Sequence, residues 1–180
     1  MEMKVDQPSI QTSRLLLRPF TLDDANNISQ IARSPQVLDT SMWLPEHTEA
    51  EWIGSHAENY NAGATVHFAI QHRGELCGYV GASLSLADRY ADMGFFIDSQ
   101  FWNRGFATES CTAFIEFSIH KLELHRIASA HFSRNLASGR VMQKLGMTYE
   151  GTLRQRVYKD GVYEDLELYG LLDSEWPATT

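Results

Sequence analysis

Asp98-Ser-Gln-Phe-Trp-Asn-Arg-Gly-Phe-Ala-Thr-Glu109 joins two segments of different periodicity. Upstream, Ala91 to Ile97 is dense in Met93, Phe95, Phe96 and Ile97, and such β-favouring apolar residues predict a strand. Downstream, Ala107, Cys111, Phe114, Ser118 and Leu122 recur at steps of three and four, which predicts a helix from Ala107 to Lys121. A strand that turns into a helix through Asn103-Arg-Gly-Phe-Ala107 leaves free backbone N–H groups at the helix start. Gly105 has no Cβ, so a ligand can approach the backbone there. Arg104 adds a cation beside the positive end of the helix dipole. Together these suit a phosphate or pyrophosphate. The plainer alternative is an ordinary strand–helix turn in which Gly105 only relieves crowding.

A second stretch bears on that choice. Asn135-Leu-Ala-Ser138-Gly-Arg140-Val-Met-Gln-Lys144-Leu-Gly146-Met resembles the last helix of GNAT acetyltransferases, and the first stretch resembles that superfamily's acyl-CoA pyrophosphate loop. Their order and separation also match. With Thr12-Ser-Arg-Leu-Leu-Leu-Arg-Pro-Phe20 at the front, the chain is similar to the branch that holds the ribosomal-protein N-terminal acetyltransferases. The likeness covers Arg14 to Leu172. It implies an α/β GNAT fold with a seven-stranded mixed sheet and acetyl-CoA as co-substrate. Phe96 and Ile97 would flank the acyl chain. Asn103, Arg104, Gly105, Phe106, Ala107 and Thr108 would hold the pyrophosphate, and Asn135, Ser138 and Arg140 would complete the site. The chain departs from the superfamily pattern at Trp102, where Gln or Arg is usual, and at Met142, where many members carry a Tyr that protonates the departing thiolate. The branch places a Ser at the position of Ser138, which implies that this hydroxyl takes the thiolate role. Read without the family, Asn135 is a helix cap and Ser138 a polar residue of the first turn.

Composition sets wider bounds. With 180 residues, one domain is expected, over residues 13 to 176 behind a loose lead-in from 1 to 12. Hydrophobic content of 43% and charged content of 21% are ordinary for a globular protein. No apolar run approaches the roughly 20 residues of a membrane span, and the N-terminus lacks a secretory core, so a cytoplasmic protein without a membrane partner is expected. A net charge of −8 argues against a nucleic-acid partner and is compatible with a cationic amine acceptor. Cys77 and Cys111 show no pairing motif and are expected as buried thiols. The seven histidines have no zinc spacing, so no metal is expected. Neither a Gly-x-Ser-x-Gly elbow nor a Gly-Lys-Ser/Thr loop is present. Monomer and homodimer both remain open.

Taken in order, the chain predicts a strand at Arg14 to Phe20, a capped helix start at Thr21 to Asp24 with a stripe through Ala25, Ile28, Ile31 and Ala32, and a loop from Val37 to Pro45. A helix follows from His47 to Tyr60. Strands Val66 to Gln71 and Leu76 to Leu84 flank a hairpin turn at His72-Arg-Gly-Glu75. After the central turn come a strand at Arg126 to Phe132, a helix from Asn135 to Leu145, and strands Thr148 to Tyr158 and Val162 to Leu172 about Asp160-Gly161. If those two residues are the whole loop, Arg156 faces Asp165 and Arg154 faces Glu167.

Three side chains are candidates on the acceptor side. Asp92, ahead of Gly94 and Phe96, could take a proton from the amine directly or through a water; a solvated strand-end carboxylate is the plain reading. Glu109 is a rival base, or else a support for the first helical turn. Trp43, in the expected loop, is the candidate acceptor contact, with core plugging as its alternative. The acceptor expected from the resemblance is a protein α-amino group, ribosomal proteins included. A small amine (polyamine, amino sugar or amino acid) is the second reading, and a non-catalytic acyl-CoA-binding module the third.

Overall fold

The computed structural model describes residues 7–42 and 49–177. One mixed sheet crosses the molecule in the order β1-β2-β3-β4-β5-β6-β8-β7. Its strands are β1 (Ile10–Gln11), β2 (Leu16–Arg18), β3 (Thr65–His72), β4 (Glu75–Ser85), β5 (Tyr90–Ile97), β6 (Arg126–Phe132), β7 (Thr148–Lys159) and β8 (Val162–Leu172). The sheet therefore has eight strands where seven are expected. The extra one is the two-residue β1, which lies in the supposed lead-in and pairs with β2 through Ile10 and Gln11.

Helices cover both faces. On one side lie α1 (Ala25–Ala32), α2 (Pro35–Thr40), α3 (Glu49–Gly54) and α4 (His56–Asn61). On the other lie α5 (Phe106–His120) and α6 (Leu136–Lys144). The larger core fills the α5–α6 side, with Phe68, Phe114, Ile115 and Ile127 fully enclosed. Cys111 and Cys77 sit there as free buried thiols, and burial pushes the Cys77 thiol up to about 12. A smaller cluster of Phe20, Ile28, Ile31, Val37 and Ile53 lies beneath α1 to α3.

Three local expectations need correction. The first part of the expected loop from Val37 to Pro45 is helical: it belongs to α2, whose first residue is Pro35, where a missing N–H costs nothing. The expected helix from His47 to Tyr60 is two helices, broken where Ser55 Oγ donates to Trp52 O at 2.9 Å. The β7–β8 hairpin does turn on Asp160-Gly161, with Lys159 opposite Val162. Its register then shifts between Leu153 and Val157, so Glu167 faces Thr152 and not Arg154. Gln155 takes φ 51° in that bulge, and its N–H donates to Asp165 Oδ1 at 2.6 Å.

The feature that positions the site is where pairing stops. β5 and β6 run parallel and pair only from Tyr90 to Met93, against Arg126 to Ser129. Beyond that they part, while β5 stays paired with β4 as far as Ile97. The β6-facing edge of Gly94 to Ile97 has no strand beside it, so a ligand can approach its backbone N–H groups.

Candidate active site

The turn after β5 is built for close approach. Asn103 and Gly105 are both left-handed, at φ 61° and 79°, and Gly105 caps α5. The first bond of the helix is Glu109 N to Gly105 O at 3.0 Å, so the amides of Phe106, Ala107 and Thr108 have no intrahelical acceptor. Trp102 fills the atypical pattern position by donating Nε1–H to Ile97 O at 2.7 Å, which ties the turn to the end of β5.

Glu109 supports this turn and stands apart from the acceptor side. Its Oε1 accepts from Thr12 Oγ1 (2.6 Å), Ser13 Oγ (3.0 Å) and Arg14 N (2.9 Å). Its Oε2 accepts from Arg14 Nε at 2.7 Å. Arg14 also donates Nη1–H to Arg104 O at 2.9 Å. Burial alone would raise the Glu109 carboxyl, but the bonds from Thr12, Arg14 and Ser13 outweigh it and hold the group below the usual range.

A cleft of about 280 Å³ runs from this turn to α6 through the gap between β5 and β6. Phe96, Ile97, Asn103, Gly105, Phe106, Ala107, Thr108, Asn135, Ser138 and Arg140 all line it. Arg104 does not: its guanidinium lies 5.2 Å over the Phe101 ring. At α6, Asn135 caps the helix and also contacts the Ser138 hydroxyl. Its Oδ1 caps the helix by accepting from Ser138 N at 3.2 Å, and its Nδ2 donates to Ser138 Oγ at 2.9 Å. Ser138 Oγ thus receives a hydrogen bond and keeps its own proton for a partner in the cleft. Met142 is fully buried and supplies no acid.

A second cavity of about 400 Å³ adjoins the first across Asn135, Ser138 and Phe96. Asp92 lines it, and burial raises its pKa above the usual carboxylate value. Register explains the other walls. Ser83 faces Asp92, Gly81 faces both His67 and Gly94, and Tyr79 faces Phe96, so these side chains share the α1–α4 face. His67 Nδ1 and Tyr79 Oη are 3.1 Å apart above Gly81, where a Cβ would come within 2.6 Å of the imidazole. Burial, with His56 nearby, lowers His67 to about 3, and burial raises Tyr79, so both are neutral near pH 7. Tyr79, His67 and Ser83 escaped the sequence reading. The available signal was the period of two along β4, where Tyr79, Gly81 and Ser83 alternate with Val80 and Ala82. Trp43 lies outside the described residues. Among the described residues no cluster of three metal-ligating side chains occurs, and no helix is long and apolar enough to cross a membrane.

Comparisons with known proteins bear on the fold. A family model described as an acetyltransferase (GNAT) domain matches residues 14–148. The uncharacterized N-acetyltransferase YoaA of Bacillus subtilis is 31% identical over 173 residues, covering 92% of this chain and 97% of its own. The L-amino acid N-acetyltransferase AaaT of Escherichia coli is 26% identical over 156 residues, covering 85% and 94%. Among solved structures, RimL, a ribosomal L7/L12 α-N-protein acetyltransferase in complex with coenzyme A, superposes with a TM-score of 0.84 at 18% identity, covering 92% of this chain and 98% of its own. At that identity the likeness speaks for the fold.

Proposed function

The chain belongs to the GNAT acetyltransferase family, and from that premise we propose that it moves acetyl from acetyl-CoA directly to the α-amino group of a protein. The observation that carries the reading is the continuity of the two cavities at Ser138 and Phe96. A thioester in the gap would have helix-start amides at its pyrophosphate end and a raised carboxylate, Asp92, on the side from which an amine arrives. Asp92, through a water, takes the proton of the incoming ammonium. The amine attacks the thioester carbonyl, whose oxygen is polarised by the open edge of Gly94 to Ile97. The C–S bond breaks, and the hydroxyl of Ser138, oriented by Asn135, donates to the departing thiolate.

A protein acceptor is supported by the resemblance of the front motif, Thr12 to Phe20. A small-amine acceptor is the second reading, favoured by AaaT among the relatives. Incubation with labelled acetyl-CoA and parallel panels of peptides with free N-termini, amino acids, amino sugars and polyamines separates them. Label in peptides with none in their N-terminally blocked forms is the expected result. Label confined to a small amine would replace the acceptor assignment, and binding of acetyl-CoA without transfer to any of them would leave a ligand-binding module.

A further inference from the structure

Four consecutive carbonyls at the C-terminal end of α2 are each taken by a side chain from β7 or from the β6–α6 turn. Lys159 Nζ donates to Leu38 O and, at 2.8 Å, to Ser41 O. Arg134 Nη2 donates to Asp39 O at 2.7 Å, and Asn135 Nδ2 to Thr40 O at 3.2 Å. Helix C-termini carry orphan carbonyls and partial negative charge, which explains why cations settle there. Lys159 is nonetheless unusual, because its side chain is only 7% exposed and its ammonium lies 5.2 Å over the Phe132 ring.

What Lys159 holds is a shared wall. Thr40 and Ser41 line both the cofactor cleft and the acceptor cavity. Asn135 Nδ2, which takes Thr40 O, is the same nitrogen that donates to Ser138 Oγ. A shift of Thr40 therefore changes the hydrogen bonding of Ser138. We infer that Lys159 is a positioning residue of the transfer reaction: by seating Thr40 and Ser41 between the two cavities, it fixes Asn135 and, through it, Ser138. The inference rests on the reading of Ser138 given above. The charged groups around Lys159 are Asp39 on α2, Arg134 in the β6–α6 turn, and Asp160 and Glu164 on the β7–β8 hairpin. Arg134 bridges two of them, Asp39 Oδ2 at 2.9 Å and Glu164 Oε1 at 2.8 Å, so Lys159 is left to the carbonyls.

The test compares Lys159→Met, which keeps an apolar stem over Phe132, with Lys159→Arg, which keeps the charge. Three quantities are read on the whole protein: unfolding temperature, acetyl-CoA dissociation constant by calorimetry, and the side-chain amide resonances of Asn135. Because Thr40 and Ser41 themselves line the cleft, their release in Lys159→Met should weaken acetyl-CoA binding about tenfold, equivalent to about 1.4 kcal/mol, and move the Asn135 resonances. Lys159→Arg should restore both to near the wild-type values. Unchanged affinity and unchanged Asn135 resonances in Lys159→Met would overturn the inference. So would a fall in unfolding temperature with those two readouts unmoved, since that marks a merely structural lysine. If Lys159→Met does not fold, a Lys159→Arg protein that folds but shows the displaced Asn135 signals also overturns it. Failure of the wild type to bind acetyl-CoA would instead remove the proposed function.

Discussion

Replacing Glu109 by Gln keeps the shape of the hub behind the Asn103–Ala107 turn and removes its charge. A Gln oxygen can still accept from Thr12, Ser13 and Arg14 N, which together serve Oε1. The amide NH₂ then meets Arg14 Nε and Nη2, where Oε2 now sits at 2.7 and 2.6 Å, and donor faces donor. An ion pair of this kind contributes about 1.5–3 kcal/mol when shielded. Arg14 is 47% exposed and Glu109 15%, so solvent screening reduces that to about 1–2 kcal/mol. For a chain of this size the unfolding temperature should fall by about 2–8 °C. Arg14 also holds the carbonyl of Arg104, so the turn loosens with it, and acetyl-CoA affinity should fall roughly fivefold, about 1 kcal/mol. Calorimetric unfolding and acetyl-CoA titration on one preparation check both. A lower unfolding temperature with unaltered acetyl-CoA affinity would refute the idea that the front of the chain braces the turn. No thermal change would refute the ion-pair magnitude. The pH dependence follows the same sign: a carboxyl held low contributes stability above its ordinary value of 4.5 and loses it as pH falls through the depressed value, so wild type and Glu109→Gln should converge in acid.

Ser138→Ala should cut turnover about 100-fold while leaving acetyl-CoA affinity within about threefold; equal losses in both would remove the thiolate role. Asp92 has a raised pKa, so its contribution to stability is present below 3.8 and is lost as pH rises through the folded value. Asp92→Asn should therefore unfold at a higher temperature at neutral pH and turn over about 10²- to 10⁴-fold more slowly, and a variant that keeps full turnover would dismiss Asp92 as the base. Gly81→Ala places a methyl 2.5 Å from Val66 O and 2.9 Å from Tyr79 Oη. It should cost about 1–3 kcal/mol and lower kcat/KM for the acceptor more than it weakens acetyl-CoA binding; an acceptor kcat/KM equal to wild type would separate the His67–Tyr79 pair from the site.

What could be seen in the sequence was local. The strand–turn–helix about Gly105 announced itself because a glycine, a cation and a change of period coincide within a few residues. The two hairpin turns did so because Arg73-Gly74 and Asp160-Gly161 both need positive φ, which the structure shows at all four residues. The misses share a different cause. The β7–β8 register depends on Asp165 capturing the Gln155 amide, a contact between strands that no spacing rule encodes. The role of Thr12 to Arg14 as a brace, and of Lys159 as a clamp, joins residues about a hundred positions apart. Ser138 was ambiguous in isolation because one Asn both caps a helix and aims a hydroxyl, and the two functions use different atoms of the same amide.

The brace from Thr12 to Glu109 also sets an order of events in the growing chain. The two partners are separated by 97 positions. At about 5–20 residues per second, the front segment is made roughly 5–20 s before the glutamate that anchors it. During that interval Arg14 has neither its counter-ion nor the Arg104 carbonyl, and no nascent form of the protein can possess a finished turn. The turn is completed by an earlier-made segment closing onto a much younger one, so its competence reports that synthesis has passed Glu109.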